Sequence, residues 1–104
     1  MHAALIKYPF LLEIPDAILA RIDLNVLHIP TGSEQELITG LSSNLMKNIV
    51  VYKEGAVSTG VHLCRVLRSA SITQEQLEAI NAVENLFKEG QIVVAYDNPL
   101  VIEC

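Results

Sequence analysis

The sequence contains no tryptophan, only two cysteines and five aromatic residues, and its lysines and arginines nowhere form a run. Each scarcity removes a class of function. Cys64 and Cys104 have neither CxxC nor metal-ligand spacing, and small secreted domains carry more bridges than one, so both read as free thiols in a cytoplasmic chain. Seven basic residues against twelve acidic ones give a net charge of −5. Binding to phosphate backbones depends on clustered lysine and arginine. The tightest basic pair, Arg65 and Arg68, reads as a solvated edge, and no nucleic-acid partner is expected. Tyr8, Phe10, Tyr52, Phe87 and Tyr96 are too dispersed, and too poor in flanking cations, for a base-stacking platform. The apolar stretch from Ala3 to Leu12 is interrupted by Lys7 and Pro9 and followed by Glu13, so neither a secretory signal nor a membrane span is predicted.

What remains is an apolar chain of 104 residues, 51% hydrophobic and 18% charged. That length suits one domain with one core, running from residue 1 to 104. The apolar content exceeds what a small domain can hide inside itself, which predicts that a homo-oligomer or a protein partner covers the surplus.

Two helices are clearly marked. Ser33 followed three residues later by Glu36 makes a capping box, ahead of a stripe of Leu37, Ile38, Leu41 and Leu45 at helical spacing. Thr73 and Gln76 repeat the pattern ahead of Leu77, Ile80, Val83 and Phe87, and Gly90 provides the stop. Each helix is followed by a run rich in β-branched residues, Asn48 to Tyr52 and Gln91 to Tyr96, that reads as a strand. Leu24 to Ile29 reads as another strand, closed by Pro30-Thr31-Gly32. Ala56 to Leu67 is ambiguous: Val57, Val61 and Leu63 favour a strand paired with Ile49 to Lys53, and a helix from Thr59 is the competing reading.

In order, these elements predict an α+β domain of the ferredoxin-like type, a split βαβ with both helices on one face of an antiparallel sheet. An extra N-terminal strand from Ala4 to Tyr8, a helical turn after Pro15 and a short C-terminal strand from Leu100 to Glu103 complete it. The segment from Ile14 to Leu24 is similar, over eleven residues, to the turn and helix of swapped-hairpin transcription factors and antitoxins. The Gly-Asp, the alternating strand and the basic arm of that family are missing, so no DNA-contacting residue is carried over.

Among candidate sites, His62 and Cys64 are the one thiol and imidazole pair close in sequence, the chemistry of a nucleophilic cysteine, with Asp97 as a further candidate. A buried cysteine beside a half-buried histidine explains the same pattern. His2, His28 and His62 with Asp97 and Glu103 have no ligand spacing, so no metal centre is expected, and no motif implies a cofactor. Thr31 and Ser33 sit where a strand meets a helix N-terminus, a place where anions dock, although a plain turn explains them as well. Tyr52 and Tyr96 end corresponding strands and are candidates for facing each other across a ligand groove. Glu75, Glu78, Glu84 and Glu89 make the second helix and its end strongly negative, a surface suited to steering a basic partner.

These features predict a small acidic, non-enzymatic binding module that oligomerises and takes a protein partner or a small apolar ligand. The competing readings are a small or degenerate enzyme using His62 and Cys64, and an oligomeric transcriptional regulator or antitoxin.

Overall fold

The two strands that follow the two long helices pair directly with each other. The structure is a computed structural model and describes residues 2–55 and 67–102. In chain order these form α1 (Ala3–Lys7), a 3-10 turn (Pro9–Glu13), α2 (Asp16–Leu19), a second 3-10 turn (Leu24–Val26), α3 (Ser33–Leu45), β1 (Asn48–Tyr52), α4 (Gln74–Glu84) and β2 (Ile92–Tyr96). The result is a small mixed helix and strand domain.

β1 and β2 are antiparallel, with Asn48 opposite Tyr96 and Tyr52 opposite Ile92. Since side chains alternate along a strand, the pair has two faces. Ile49, Val51, Val93 and Ala95 point to one face and pack with Ile38, Leu41 and Leu45 of α3 and with Ile80 and Phe87. Val50, Tyr52 and Tyr96 point to the other, against Ala4, Tyr8, Leu11, Ile14, Ile22 and Val26 of the N-terminal helical layer. A strand covered on both faces has no need of polar alternation, which accounts for the continuous apolar runs.

Ile38, Leu41 and Leu45 of the α3 stripe and Ile80 of the α4 stripe reach the core, with Val83 packed against it and Phe87 joining it from beyond the end of α4; Leu37 lies outside the core clusters and Leu77 is exposed. The Thr73 capping box forms, with the Thr73 hydroxyl accepting from Gln76 N–H and the Gln76 side chain accepting from Thr73 N–H. Gly90 does not provide the stop: α4 ends at Glu84 with Asn85 as its C-cap, and Gly90, at φ 76°, turns the chain just ahead of β2.

Several expectations are corrected. In a split βαβ sheet the strands after the two helices occupy opposite edges; here they are neighbours, so the strand order departs from the ferredoxin-like one. The run from Ala4 to Tyr8 is not a strand: it is helix as far as Lys7, with Tyr8 as the C-cap, because the His2 imidazole accepts from Ala4 N–H and caps a first turn that the apolar run alone does not reveal. Leu24 to Val26 is a 3-10 turn, because the Asp23 carboxylate accepts from Asn25 N–H and curls the chain. Only the end of that run is extended: Leu27 bridges Tyr52, and His28 N–H donates to the Val51 carbonyl. Ser33 does not cap α3; Gly32, at φ 53°, occupies the cap position and Ser33 is the first helical residue.

On the far side of β2, Ser69 bridges Tyr96, and beyond the turn at Asn98–Pro99 Leu67 bridges Ile102. Of the predicted C-terminal strand, Val101 and Ile102 pair with this segment, the Val101 carbonyl accepting from Arg68 N–H at 3.0 Å. The segment of open assignment falls on residues 56–66, outside the described residues, as do His62, Cys64 and Glu103.

Candidate functional site

Tyr8 occupies an unusual place. Its hydroxyl donates to the His28 carbonyl at 2.6 Å and accepts from Val51 N–H at 3.4 Å. In an antiparallel ladder two opposed residues exchange both backbone bonds. Here His28 N–H reaches Val51 directly, and the reciprocal bond runs through the inserted phenol. Burial raises the Tyr8 pKa well above the ordinary phenol value, with the Val51 N–H pulling the other way and the Glu34 charge adding to the rise. The wedge fixes the course of the chain from His28 into the turn before α3.

That turn brings together residues that the sequence leaves unrelated. His28 Nε2 lies 3.1 Å from Glu34 Oε1, and the same oxygen accepts from Thr31 N–H at 3.3 Å. The His28 ring meets the Phe87 ring edge-on, with centroids 5.6 Å apart. A cleft of about 510 Å³ opens beside this pair, between the start of α3 and the chain that leads into β2. Thr31 and Ser33, both expected at a ligand-binding helix end, line it together with His28, Glu34, Lys88 and Gln91. His28, Glu34 and Gln91 were not among the expected site residues. The Pro30-Thr31-Gly32 turn was a usable signal for the first two, since it folds positions 28 and 34 back on each other. A glutamine between Gly90 and an apolar strand was the signal for the third.

The other candidates lie elsewhere. Tyr52 and Tyr96 do meet, their hydroxyls hydrogen-bonded, but both are wholly buried. They stand at opposite ends of one face and lean together over Val50 and Val94, so the space between them is core and not a groove. Asp97 is at the other end of the sheet, where its carboxylate takes the Arg68 guanidinium and its carbonyl accepts from the Asn48 side chain at 2.8 Å. Among the described residues no group of three metal-ligating side chains comes together, and no helix is long and apolar enough to cross a membrane.

The outward side of the helical layer carries a second feature. α3 and α4 run antiparallel, and between them lie two adjoining depressions that share Asn44 and Ala79. Leu37, Gly40, Leu41, Ala82 and Val83 line the larger, of about 410 Å³; Leu45 and Gln76 line the smaller, of about 340 Å³. From Glu36 to Leu45 along α3 the groove runs about 14 Å, or two and a half helical turns. The two helices carry Glu34, Glu36, Glu75, Glu78 and Glu84 and no lysine or arginine. Glu34 is held by His28, and Glu84 caps Val93 N–H at the edge of β2, at 2.9 Å. Glu36, Glu75 and Glu78 are exposed; Glu36 and Glu75 line the groove with negative charge, and Glu78 adds a third carboxylate on the surface of α4.

Comparison with family models, with curated proteins and with solved structures returns no match for this chain.

Proposed function

We propose that this chain is a small acidic binding module, not an enzyme, and that it docks a basic amphipathic segment of a partner protein in the groove between α3 and α4. The observation that carries this reading is the pairing of an apolar floor (Leu37, Leu41, Ala82 and Val83) with the carboxylates of Glu36 and Glu75 along the groove, which no basic residue of either helix offsets. A helix laid in a groove presents apolar anchors at i, i+3 or i+4 and i+7, and two and a half turns accommodate three of them. Gly40, Ala79 and Ala82 keep the floor low enough for close approach.

A second copy of the chain is a poor occupant. A two-fold interface on this face would set its carboxylates against their own copies, and like charges across an interface are unfavourable. The self-association expected from composition therefore belongs to another surface: Ile6, Leu12, Met46 and Leu86 are exposed on four different segments. The same negative layer disfavours phosphate backbones. A cytoplasmic setting, expected from two isolated cysteines, is compatible with this reading.

The test is a titration of the labelled full chain with an amphipathic leucine and lysine peptide, followed by amide shifts. The reading expects saturable shifts concentrated on α3 and α4, weakening as salt is raised. Shifts scattered over the chain, or none at millimolar peptide, contradict it.

A further inference from the structure

The outer edge of β1, away from the α3/α4 groove, runs out of partners at Ile49. The Val51 carbonyl accepts from His28 N–H, and Lys53 N–H donates to the Val26 carbonyl, so the backbone groups of both residues point away from β2. By the alternation of an antiparallel ladder the N–H and C=O of Ile49 point the same way. A continued ladder would set Pro30 opposite Ile49, and proline has no N–H to give. The Tyr8 phenol takes Val51 N–H and reaches no further along the edge. Ile49 is 3% exposed, and no described group hydrogen-bonds its N–H or its C=O. Buried backbone groups are normally paired.

A cavity of about 170 Å³ opens at this gap, with Tyr8, Pro9, Phe10 and Ile49 on one side and Gln35 and Ile38 of α3 on the other. Gln35 adds a third unsatisfied group, since its Oε1 is buried and has no partner. Its Nε2 reaches Thr39 Oγ1 at 3.5 Å, at the limit of a hydrogen bond, so little holds the amide against turning its oxygen into the cavity. The groups to be answered are thus one donor, Ile49 N–H, and two acceptors, Ile49 C=O and Gln35 Oε1. Lys7 is the one charged side chain on the wall and would draw an anion, yet a carboxylate is repelled by both acceptors. An ammonium leaves Ile49 N–H without a partner. A primary carboxamide, with one carbonyl and two N–H, matches the set. A cavity of about 150 Å³ holds benzene, so this one has room for a single ring against its apolar wall. We propose that the cavity binds a small uncharged aromatic carboxamide. Its carbonyl accepts from Ile49 N–H, its N–H groups donate to Ile49 C=O and Gln35 Oε1, and its ring lies against Pro9, Phe10 and Ile38.

The experiment is a set of titrations of the labelled full chain, observing Ile49 N–H and the Gln35 side-chain amide by nuclear magnetic resonance. The probes are benzamide, benzoate, benzylamine and N,N-dimethylbenzamide. The expected result is saturable shifts at both groups with benzamide, and at least tenfold weaker binding of the other three. Gln35→Met removes one acceptor, should leave the fold intact and should weaken benzamide binding at least threefold. Should that variant fail to fold, the N,N-dimethyl comparison decides, since it takes both donors from the ligand and leaves the chain untouched. Benzoate binding as tightly as benzamide would overturn the assignment in favour of an anion on Lys7. So would N,N-dimethylbenzamide binding unweakened, a folded Gln35→Met chain with the natural affinity, or no shift at Ile49 N–H with benzamide at tens of millimolar.

Discussion

Replacing Tyr8 with phenylalanine removes one oxygen and leaves two backbone groups to find new partners. The His28 carbonyl loses a 2.6 Å bond and Val51 N–H a 3.4 Å one, with the tyrosine itself 1% exposed. An unsatisfied buried backbone group costs about 1–3 kcal/mol. The Val51 contact is long and contributes the smaller part, and the ladder can draw in to restore a direct bond between His28 and Val51. Together these give a loss of about 2 kcal/mol. In a urea titration with a slope of about 1.3 kcal/mol/M, the midpoint should fall by about 1.5 M with the slope unchanged. Val51 N–H should lose hydrogen-exchange protection ahead of its neighbours in β1. The pH dependence has a definite sign. Burial holds the Tyr8 proton in the folded state above the unfolded phenol value of 10.0, so the Tyr8 contribution is complete below pH 10. As pH rises past 10 the unfolded chain ionises first, and stability drains by up to about 1.4 kcal/mol per pH unit. Tyr8→Phe lacks that component, so the gap between the two proteins should narrow above pH 10. A midpoint shift under about 0.4 M, or a gap that stays constant to pH 11, would refute the inserted-phenol account.

Other substitutions follow from local geometry. Met46 closes α3 at φ 57° while 75% exposed, so Met46→Gly should relieve backbone strain at no cost in packing and raise stability by about 0.5–1 kcal/mol in thermal melts. Thr73→Ala removes the hydroxyl that accepts from Gln76 N–H, the Thr73 half of the α4 capping box, and should cost about 1 kcal/mol, recovered in part by Thr73→Ser. Gln35 keeps a buried Oε1 without a partner beside a cavity of about 170 Å³ between α3 and the chain around Tyr8. Gln35→Met should therefore be neutral or stabilising by up to about 1 kcal/mol, and a clear loss would show that the amide is satisfied in solution.

The parts of the fold legible in the sequence are those set by local chemistry. The α3 and α4 stripes, the Thr73 cap and both strands depend on periodicity and on neighbours a few residues away, whereas α4 ends at Asn85, short of the glycine expected to stop it. What the sequence concealed depends on distant groups. Direct pairing of β1 with β2 is decided by how Val51 and Val93 share a floor for two helices while Tyr52 and Tyr96 share a roof with the N-terminal layer. The N-terminal run reads as a strand until His2 is seen to cap it, and Leu24 to Val26 reads as one until Asp23 does the same. Thr31 and Ser33 were expected as ligand-binding residues from their position at a helix start, and the structure puts both at the cleft beside it. His28, Glu34 and Gln91 became visible once the turn and β2 had placed them around the same cleft. Tyr52 and Tyr96 were correctly expected to meet, yet an antiparallel register puts them in the core, closed against each other.

The claim that an acidic groove selects a basic partner is tested most directly by swapping charge on both sides. Titration calorimetry would compare the natural chain with the Glu36→Lys, Glu75→Lys, Glu78→Lys triple variant, each against the leucine and lysine peptide and against its leucine and glutamate counterpart. The account predicts that the natural chain binds the lysine peptide at least tenfold tighter than the glutamate one and that the triple variant reverses the preference. Equal affinity of the triple variant and the natural chain for the lysine peptide would contradict it.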